Sequence, residues 1–239
     1  MAVILNIETS GKACSVALTA EGMILRHRET TEGPGHAAFL SDFIKSMLDF
    51  AAEKELKLDA VAVSMGPGSY TGLRIGLSEA KGLAYGLDIP MIGVSTLKIM
   101  AVSVMFGADM LPDDVILVPM LDARRMEVYT AAYDLALNEI MTPSPLILEA
   151  GNHPYGEILD SGRPVVFFGD GMTKWRDAFG SVLPPNASYV ENIIPLATDM
   201  TALAEQAWTQ RSFIDTAYST PTYLKDFQPT TPRPRLGTE

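Results

Sequence analysis

The chain has 239 residues, and 18 Lys and Arg against 29 Asp and Glu give it a formal net charge of −11 at pH 7. A charge of this sign repels a phosphate backbone, which excludes autonomous nucleic-acid binding and leaves a nucleic-acid role only through a partner. With 47% hydrophobic and 20% charged residues, the composition also excludes a disordered chain.

The compartment is predicted from what the sequence lacks. Cys14 is the single cysteine, so no internal disulfide can form. No run approaches the roughly 18 apolar residues that a membrane-spanning helix needs, and the first ten residues lack the basic segment of a signal peptide. We therefore expect a cytoplasmic protein without membrane attachment.

Two stretches of the chain predict similar β-hairpins. Residues 2–8 form an apolar strand that ends in Glu8, and residues 13–19 alternate as the returning strand. Residues 115–122 form a second apolar strand that ends in Asp122, followed by a returning strand over residues 126–133. Glu8 and Asp122 are thus counterparts in a repeated plan.

A second pair of elements follows in the same order. Residues 59–65 form a strand that runs into a glycine turn at residues 66–68, and residues 163–168 form another that runs into residues 169–171. Each glycine turn is expected to open a helix. The repeated order predicts an α/β protein of two duplicated lobes.

Two helices of the first lobe carry wide apolar or small-residue surfaces. The helix predicted over residues 36–54 has apolar residues at helical spacing, with Phe39 and Phe50 outside that stripe. The helix that begins near Thr71 places Gly76, Ala80 and Ala84 four residues apart. These surfaces fit either a partner helix or the sheet of the lobe itself.

The repeated acids and glycine turns indicate a nucleotide or phosphate cleft between the lobes. Backbone N–H groups of the glycine turns would face an anion, and Glu8 or Asp122 would hold a magnesium ion through water. Because no lysine adjoins either turn in the sequence, we expect ATP or ADP with magnesium to bind weakly, and we assign no firm cofactor. The residues expected at this weak site are Glu8, Thr9, Ser10, Gly66, Gly68, Ser69, Asp122, Gly169 and Gly171.

The sequence lacks the motifs of P-loop NTPases, serine hydrolases and histidine metal sites. The glycines of residues 66–72 are wrongly spaced for a Walker A loop, and no serine lies in a G-x-S-x-G elbow. The three histidines form no metal-binding pattern, so we predict neither a metal site nor catalytic residues.

Residues 66–76 (GPGSYTGLRIG) resemble the signature of the bacterial TsaB, or YeaZ, family of tRNA threonylcarbamoyladenosine biosynthesis proteins. Similar matches extend over residues 2–225, including residues 7–10 (IETS), 122–124 (DAR), 127–129 (EVY) and 221–225 (PTYLK). One departure is Glu8, where the family more often has Asp.

The resemblance implies ribonuclease H-like lobes of the actin, sugar kinase and Hsp70 superfamily. It also implies an accessory role: dimerisation with the paralogue TsaD, which modifies the adenosine beside the anticodon of ANN-decoding tRNAs, and docking of TsaE on that pair. We expect a homodimer in isolation and tRNA contact only through the complex. The residues expected at the partner surface are Phe39, Phe43, Met47, Phe50, Arg74, Gly76, Ala80, Leu83 and Ala84.

Two alternatives to a non-catalytic subunit stay open at this stage. One is a small-molecule kinase of the same fold, and the other is a metallopeptidase, in keeping with the older name glycoprotease for this group. The predicted organisation is a first lobe at residues 1–106, a second lobe at 107–218, and a Pro-rich, partly mobile tail at 219–239.

Overall fold

The computed structural model describes residues 2–31, 36–107, 110–148, 155–179 and 184–225. Most of the predicted tail, residues 226–239, lies outside this described part. Within it, no helix is both long and apolar enough to cross a membrane.

The described residues form two five-stranded mixed sheets. The strands of the first sheet are β1 (Val3–Glu8), β2 (Cys14–Ala20), β3 (Met23–Thr30), β4 (Ala60–Gly66) and β5 (Met91–Ser95). Those of the second are β6 (Ile116–Asp122), β7 (Glu127–Tyr133), β8 (Glu139–Ile147), β9 (Val165–Phe168) and β10 (Ala187–Val190). Helices cover these sheets: α1 (His36–Glu53), α2 (Tyr70–Leu87), α3 (Thr96–Gly107), α4 (Gly156–Asp160), α5 (Met172–Phe179) and α6 (Thr201–Thr209).

The two sheets share one topology. The first has the order β3-β2-β1-β4-β5, and the second, read from β8, has the order β8-β7-β6-β9-β10. In both, the first two strands of the lobe pair antiparallel, and the fourth and fifth strands run parallel to the first. The predicted duplication is confirmed, although the exact boundaries of the lobes stay a prediction.

Each sheet is covered by helices on both faces. On one face of the first sheet, α1 and α2 pack through residues such as Leu40, Met47 and Leu77. On the other face, α6 and the 3-10 helix Ala197–Met200 pack through Met200 and Ala204 against Ile4 and Ile92. The chain thus returns to the first lobe at its end, an arrangement that its sequence left open.

Helix α3 lies between the lobes. Its apolar residues Leu97, Met100 and Val104 belong to the core that includes Leu117 and Phe168 of the second sheet. Through these buried apolar contacts, α3 joins the two lobes.

The small residues of α2 divide between two faces. Gly76 lies against Thr9, and Ala80 and Ala84 belong to the apolar core, with Ala80 fully buried. The predicted stripe of Gly76, Ala80 and Ala84 therefore packs against the lobe itself. On the opposite face, Gly82 is exposed, and a Cβ there would meet no atom within 4 Å.

We predict opposite effects of alanine at two glycines of α2. Gly72→Ala would drive a Cβ into the backbone carbonyl of Thr9 and should lower the free energy of unfolding by about 1 to 3 kcal/mol. Gly82→Ala meets open space and should raise it by up to about 1 kcal/mol through helix propensity. Urea titration of both variants measures the difference. Equal effects would contradict the inner packing assigned to Gly72.

Candidate functional site

The candidate site is a cleft of about 810 Å³ between the lobes. One wall consists of the β1–β2 turn and the start of α2, and the other of the β6–β7 turn and the start of α5. The C-terminal segment, residues 222–225, closes part of the opening. The lining residues are Ser10, Gly11, Lys12, Pro67, Gly68, Ser69, Tyr70, Thr71, Leu121, Asp122, Ala123, Arg124, Arg125, Glu127, Tyr129, Asp170, Lys174, Thr222, Tyr223, Leu224 and Lys225.

The structure brings only part of the predicted site to this cleft. Ser10, Gly68, Ser69 and Asp122 line it, as predicted. Glu8 and Thr9 are fully buried at the end of β1. The remaining three glycines serve close packing. A Cβ at Gly66 would lie 2.8 Å from the Thr222 carbonyl oxygen, and one at Gly171 would lie 2.7 Å from Cγ1 of Val128, while one at Gly169 would overlap the Met120 carbonyl.

Several of the backbone N–H groups expected to face an anion donate inside the protein instead, so the predicted phosphate cradle is at most partial. The Ser69 N–H donates to the Ser10 carbonyl at 2.7 Å, and the Gly72 N–H donates to the Ser69 hydroxyl at 3.2 Å. In the second lobe, the Gly171 N–H donates to the Met120 carbonyl at 3.0 Å. These hydrogen bonds anchor the turns, so the donors are not directed at a ligand.

The two acids proposed for magnesium differ in environment. Burial raises the pKa of Glu8 to about 7, and the Ser10 N–H, which donates to its Oε1, opposes that shift. Asp122 is partly exposed, and its Oδ1 accepts hydrogen bonds from Lys174 Nζ and from the Arg124 N–H. A buried carboxyl group with a raised pKa and a carboxylate already bound to lysine are a poor fit for magnesium.

Basic side chains that were not among the predicted site residues surround the cleft. Lys174 lies one turn into α5 and pairs with Asp122 at 2.5 Å, although no lysine directly adjoins the glycine turn in the sequence. Lys12 pairs with Asp170 at 3.5 Å across the lobes. Lys225 pairs with Glu127 at 2.6 Å, a contact between residues 98 positions apart that no local pattern could indicate.

The C-terminal segment binds the first lobe before it reaches Glu127. The Thr222 N–H donates to the Met65 carbonyl at 2.7 Å. The Tyr223 ring lies 5.1 Å from the Tyr70 ring, and Arg74 donates from Nε to the Tyr223 hydroxyl at 3.0 Å while its guanidinium covers Tyr70 at 4.1 Å. The segment therefore ties both lobes together at the cleft.

Comparison with known proteins identifies the family. The chain is 33% identical over 230 residues to the TsaB protein of Escherichia coli K12, an alignment that covers 93% of this chain and 94% of that protein. It is also 33% identical to TsaB of Bacillus subtilis, over 75% and 76% of the two chains. The chain belongs to the TsaB family.

Further comparisons agree with this membership. The TsaD family, described as tRNA N6-adenosine threonylcarbamoyltransferase, matches residues 31–144. A structure of YeaZ from Pseudomonas aeruginosa superposes with a TM-score of 0.76 at 29% identity and covers 94% of this chain and 100% of that chain. An Arthrobacter glucomannokinase that uses inorganic polyphosphate or ATP matches with a TM-score of 0.51 at 12% identity, over 88% and 100% of the two chains. This last match shows the sugar kinase fold alone and confirms the predicted fold class.

We predict that Glu8 makes stability depend on pH. Its pKa rises from 4.5 to about 7 on folding, so the folded state binds more protons and stability falls as pH rises through this window, by about 3 kcal/mol. Glu8→Gln should remove most of this slope and be more stable than wild type at pH 8. Urea unfolding at pH 5 to 8 measures it.

The control for this experiment is Glu21→Gln, which removes an exposed acid of the first lobe. It should retain the wild-type slope. Asp199, whose pKa is also raised by burial, to about 6, should leave a smaller residual slope in the Glu8→Gln variant. A full wild-type slope in that variant would assign the effect to other groups.

Proposed function

We propose that this chain acts in the biosynthesis of tRNA threonylcarbamoyladenosine as a non-catalytic accessory subunit. In this role it pairs with TsaD, TsaE docks on the pair, and tRNA is contacted only within the complex. The observation that carries the proposal is membership of the TsaB family over nearly the whole chain. The net charge of −11 supports it, because tRNA binding then depends on the other subunits.

The state of the two acids supports a non-catalytic role. A kinase of this fold needs an ionised carboxylate free to act as a base or to hold magnesium. Glu8 is fully buried and its Oε1 accepts the Ser10 N–H, and Lys174 pairs with the Asp122 carboxylate. Neither acid is presented for that chemistry.

We predict that TsaD and TsaE need this chain for activity. Multiple-turnover threonylcarbamoylation of tRNA should stop when the chain is omitted and return when it is added back. The chain alone should have no kinase, peptidase or tRNA-modifying activity. Undiminished turnover by TsaD and TsaE without it would contradict the proposed role.

The proposed partner surface includes the outer faces of α1 and α2. Of the residues predicted there, Phe39 and Arg74 are exposed and Phe43, Phe50 and Leu83 are half-buried. The other four, Met47, Gly76, Ala80 and Ala84, face the interior of the lobe, so substitution of Ala80 would test the core and not a partner surface. The outer face of α2 instead presents Ser78, Gly82 and Gly86 four residues apart, all exposed.

Small residues on this outer face favour close approach of another helix. A helix that packs there, from TsaD or from a second copy, would meet no side chain at Gly82 or Gly86, since glycine has none. The Ser41 hydroxyl donates to Glu79 Oε1 at 3.0 Å and holds α1 beside α2, so the two helices present one continuous surface. A two-fold contact through this surface would form a four-helix interface.

We predict that Gly82→Arg weakens both the homodimer and the TsaD complex. The long charged side chain projects from an exposed helix position with open space around it, so the fold should persist while close helix approach is blocked. The expected loss in TsaD affinity is at least tenfold, or about 1.4 kcal/mol. Light scattering and titration calorimetry with TsaD measure the two assemblies.

Gly156→Arg is the matched control. Gly156 begins α4 in the second lobe, and a Cβ there also meets nothing within 4 Å. This variant should dimerise and bind TsaD as wild type does. If a folded Gly82→Arg variant assembles as wild type does, the partner surface does not include the outer face of α2.

A further inference from the structure

The interlobe cleft is basic although the chain is acidic. Five basic side chains line it, against three acidic ones, whereas the whole chain has a net charge of −11. The basic residues are Lys12, Arg124, Arg125, Lys174 and Lys225, and the acidic ones are Asp122, Glu127 and Asp170. This local excess of positive charge marks the cleft as a place for an anion.

Each of the three carboxylates of the cleft forms an ion pair with a lysine. Lys12 pairs with Asp170, Lys174 with Asp122 and Lys225 with Glu127, at 3.5, 2.5 and 2.6 Å. Within the described part of the chain, no ion pair involves Arg124 or Arg125, and both are exposed at the cleft. The positive charge that remains available is therefore that of two adjacent guanidinium groups.

The backbone of the β6–β7 turn is costly for arginine. Arg124 has φ of 67° and Arg125 has φ of 49°, so both lie in the left-handed region. Two consecutive residues of this kind are best supplied by Asn-Gly in a hairpin turn, because any β-carbon crowds the backbone there, glycine has none, and Asn hydrogen-bonds locally. The turn instead has two arginines whose side chains reach the cleft. Backbone strain of this kind is common where side chains bind a ligand.

We propose that Arg124 and Arg125 form a binding site for a compact phosphoryl anion, a free phosphate or pyrophosphate. Guanidinium groups bind the oxygens of a phosphoryl group through paired hydrogen bonds, and two of them suit an anion that carries more than one negative charge. We assign the donors to side chains, since the N–H groups of Ser69 and Gly171 in the two glycine turns already donate within their own lobes.

We expect a compact ligand because two of the three tyrosine rings that line the cleft are already in contact with other side chains. The faces of Tyr70 and Tyr223 meet each other, and Arg74 covers Tyr70. The third tyrosine that lines the cleft, Tyr129, is half-buried. Because Tyr70 and Tyr223 contact each other, we expect a nucleotide to bind no better than its phosphates alone.

The test is titration calorimetry of the isolated chain with pyrophosphate and with inorganic phosphate, in magnesium-free buffer of low ionic strength. Wild type should bind at least one of them saturably, and binding should weaken as salt is added. The double variant Arg124→Asn with Arg125→Gly should bind at least tenfold more weakly while its melting temperature stays equal or rises, because the new residues suit the turn. The double variant Arg124→Lys with Arg125→Lys should bind with an affinity between those of wild type and the first double variant.

Arg211→Ala provides a matched control. Arg211 is also exposed, also has a positive φ, of 52°, and lies outside the cleft after α6. Its loss removes one positive charge where the double variant removes two, and it should leave binding within twofold of wild type. The proposal fails if neither probe binds at 10 mM, if Arg211→Ala weakens binding as much as the double variant does, or if ATP binds more than tenfold tighter than pyrophosphate. Because the isolated chain is used, none of these outcomes depends on TsaD.

Discussion

The contact on which the first lobe depends lies between the β1–β2 turn and the start of α2. Thr9 donates from its hydroxyl to the Gly72 carbonyl at 2.8 Å, and the Ser69 N–H donates to the Ser10 carbonyl at 2.7 Å. Glycine at positions 68, 72 and 76 is what allows the turn and the helix to come this close. The contact fixes α2 on the sheet and with it one wall of the cleft. It also buries Glu8, whose pKa then departs from that of an exposed acid.

This tight packing also constrains the two glycine turns. In each turn an N–H group, that of Ser69 or of Gly171, completes a hydrogen bond inside its own lobe. The carboxylate at the end of β6 is matched by Lys174. The cleft presents side-chain charge at Arg124 and Arg125, and the outer face of α2 presents small exposed residues. In the proposed anion site, these side chains take the part that backbone donors would otherwise have.

The sequence allowed the duplicated hairpins, the glycine turns and α1 and α2 to be predicted, because each has a local pattern of apolar residues or glycines. Helix α2 begins one residue before the predicted Thr71. Local patterns could not decide which face of α2 is buried, since two stripes of small residues run along it. They also could not give the pairing of Lys225 with Glu127 or the return of α6 to the first sheet, because both depend on how distant segments meet. Lys12 was the nearest lysine that the sequence offered for the cleft, whereas Lys225 was missed for the same reason, and Lys174 could have been found by counting one turn past the glycine turn.

The two lobes are joined by apolar contacts at α3 and by ion pairs at the cleft. Helix α3 contributes apolar contacts that salt does not screen. At the cleft, Lys12 pairs with Asp170 through an ammonium group that is 74% exposed, and Lys225 of the C-terminal segment pairs with Glu127. Exposed ion pairs weaken as ionic strength rises, whereas the apolar contacts persist. Rising ionic strength should therefore loosen the contacts at the cleft while those at α3 persist.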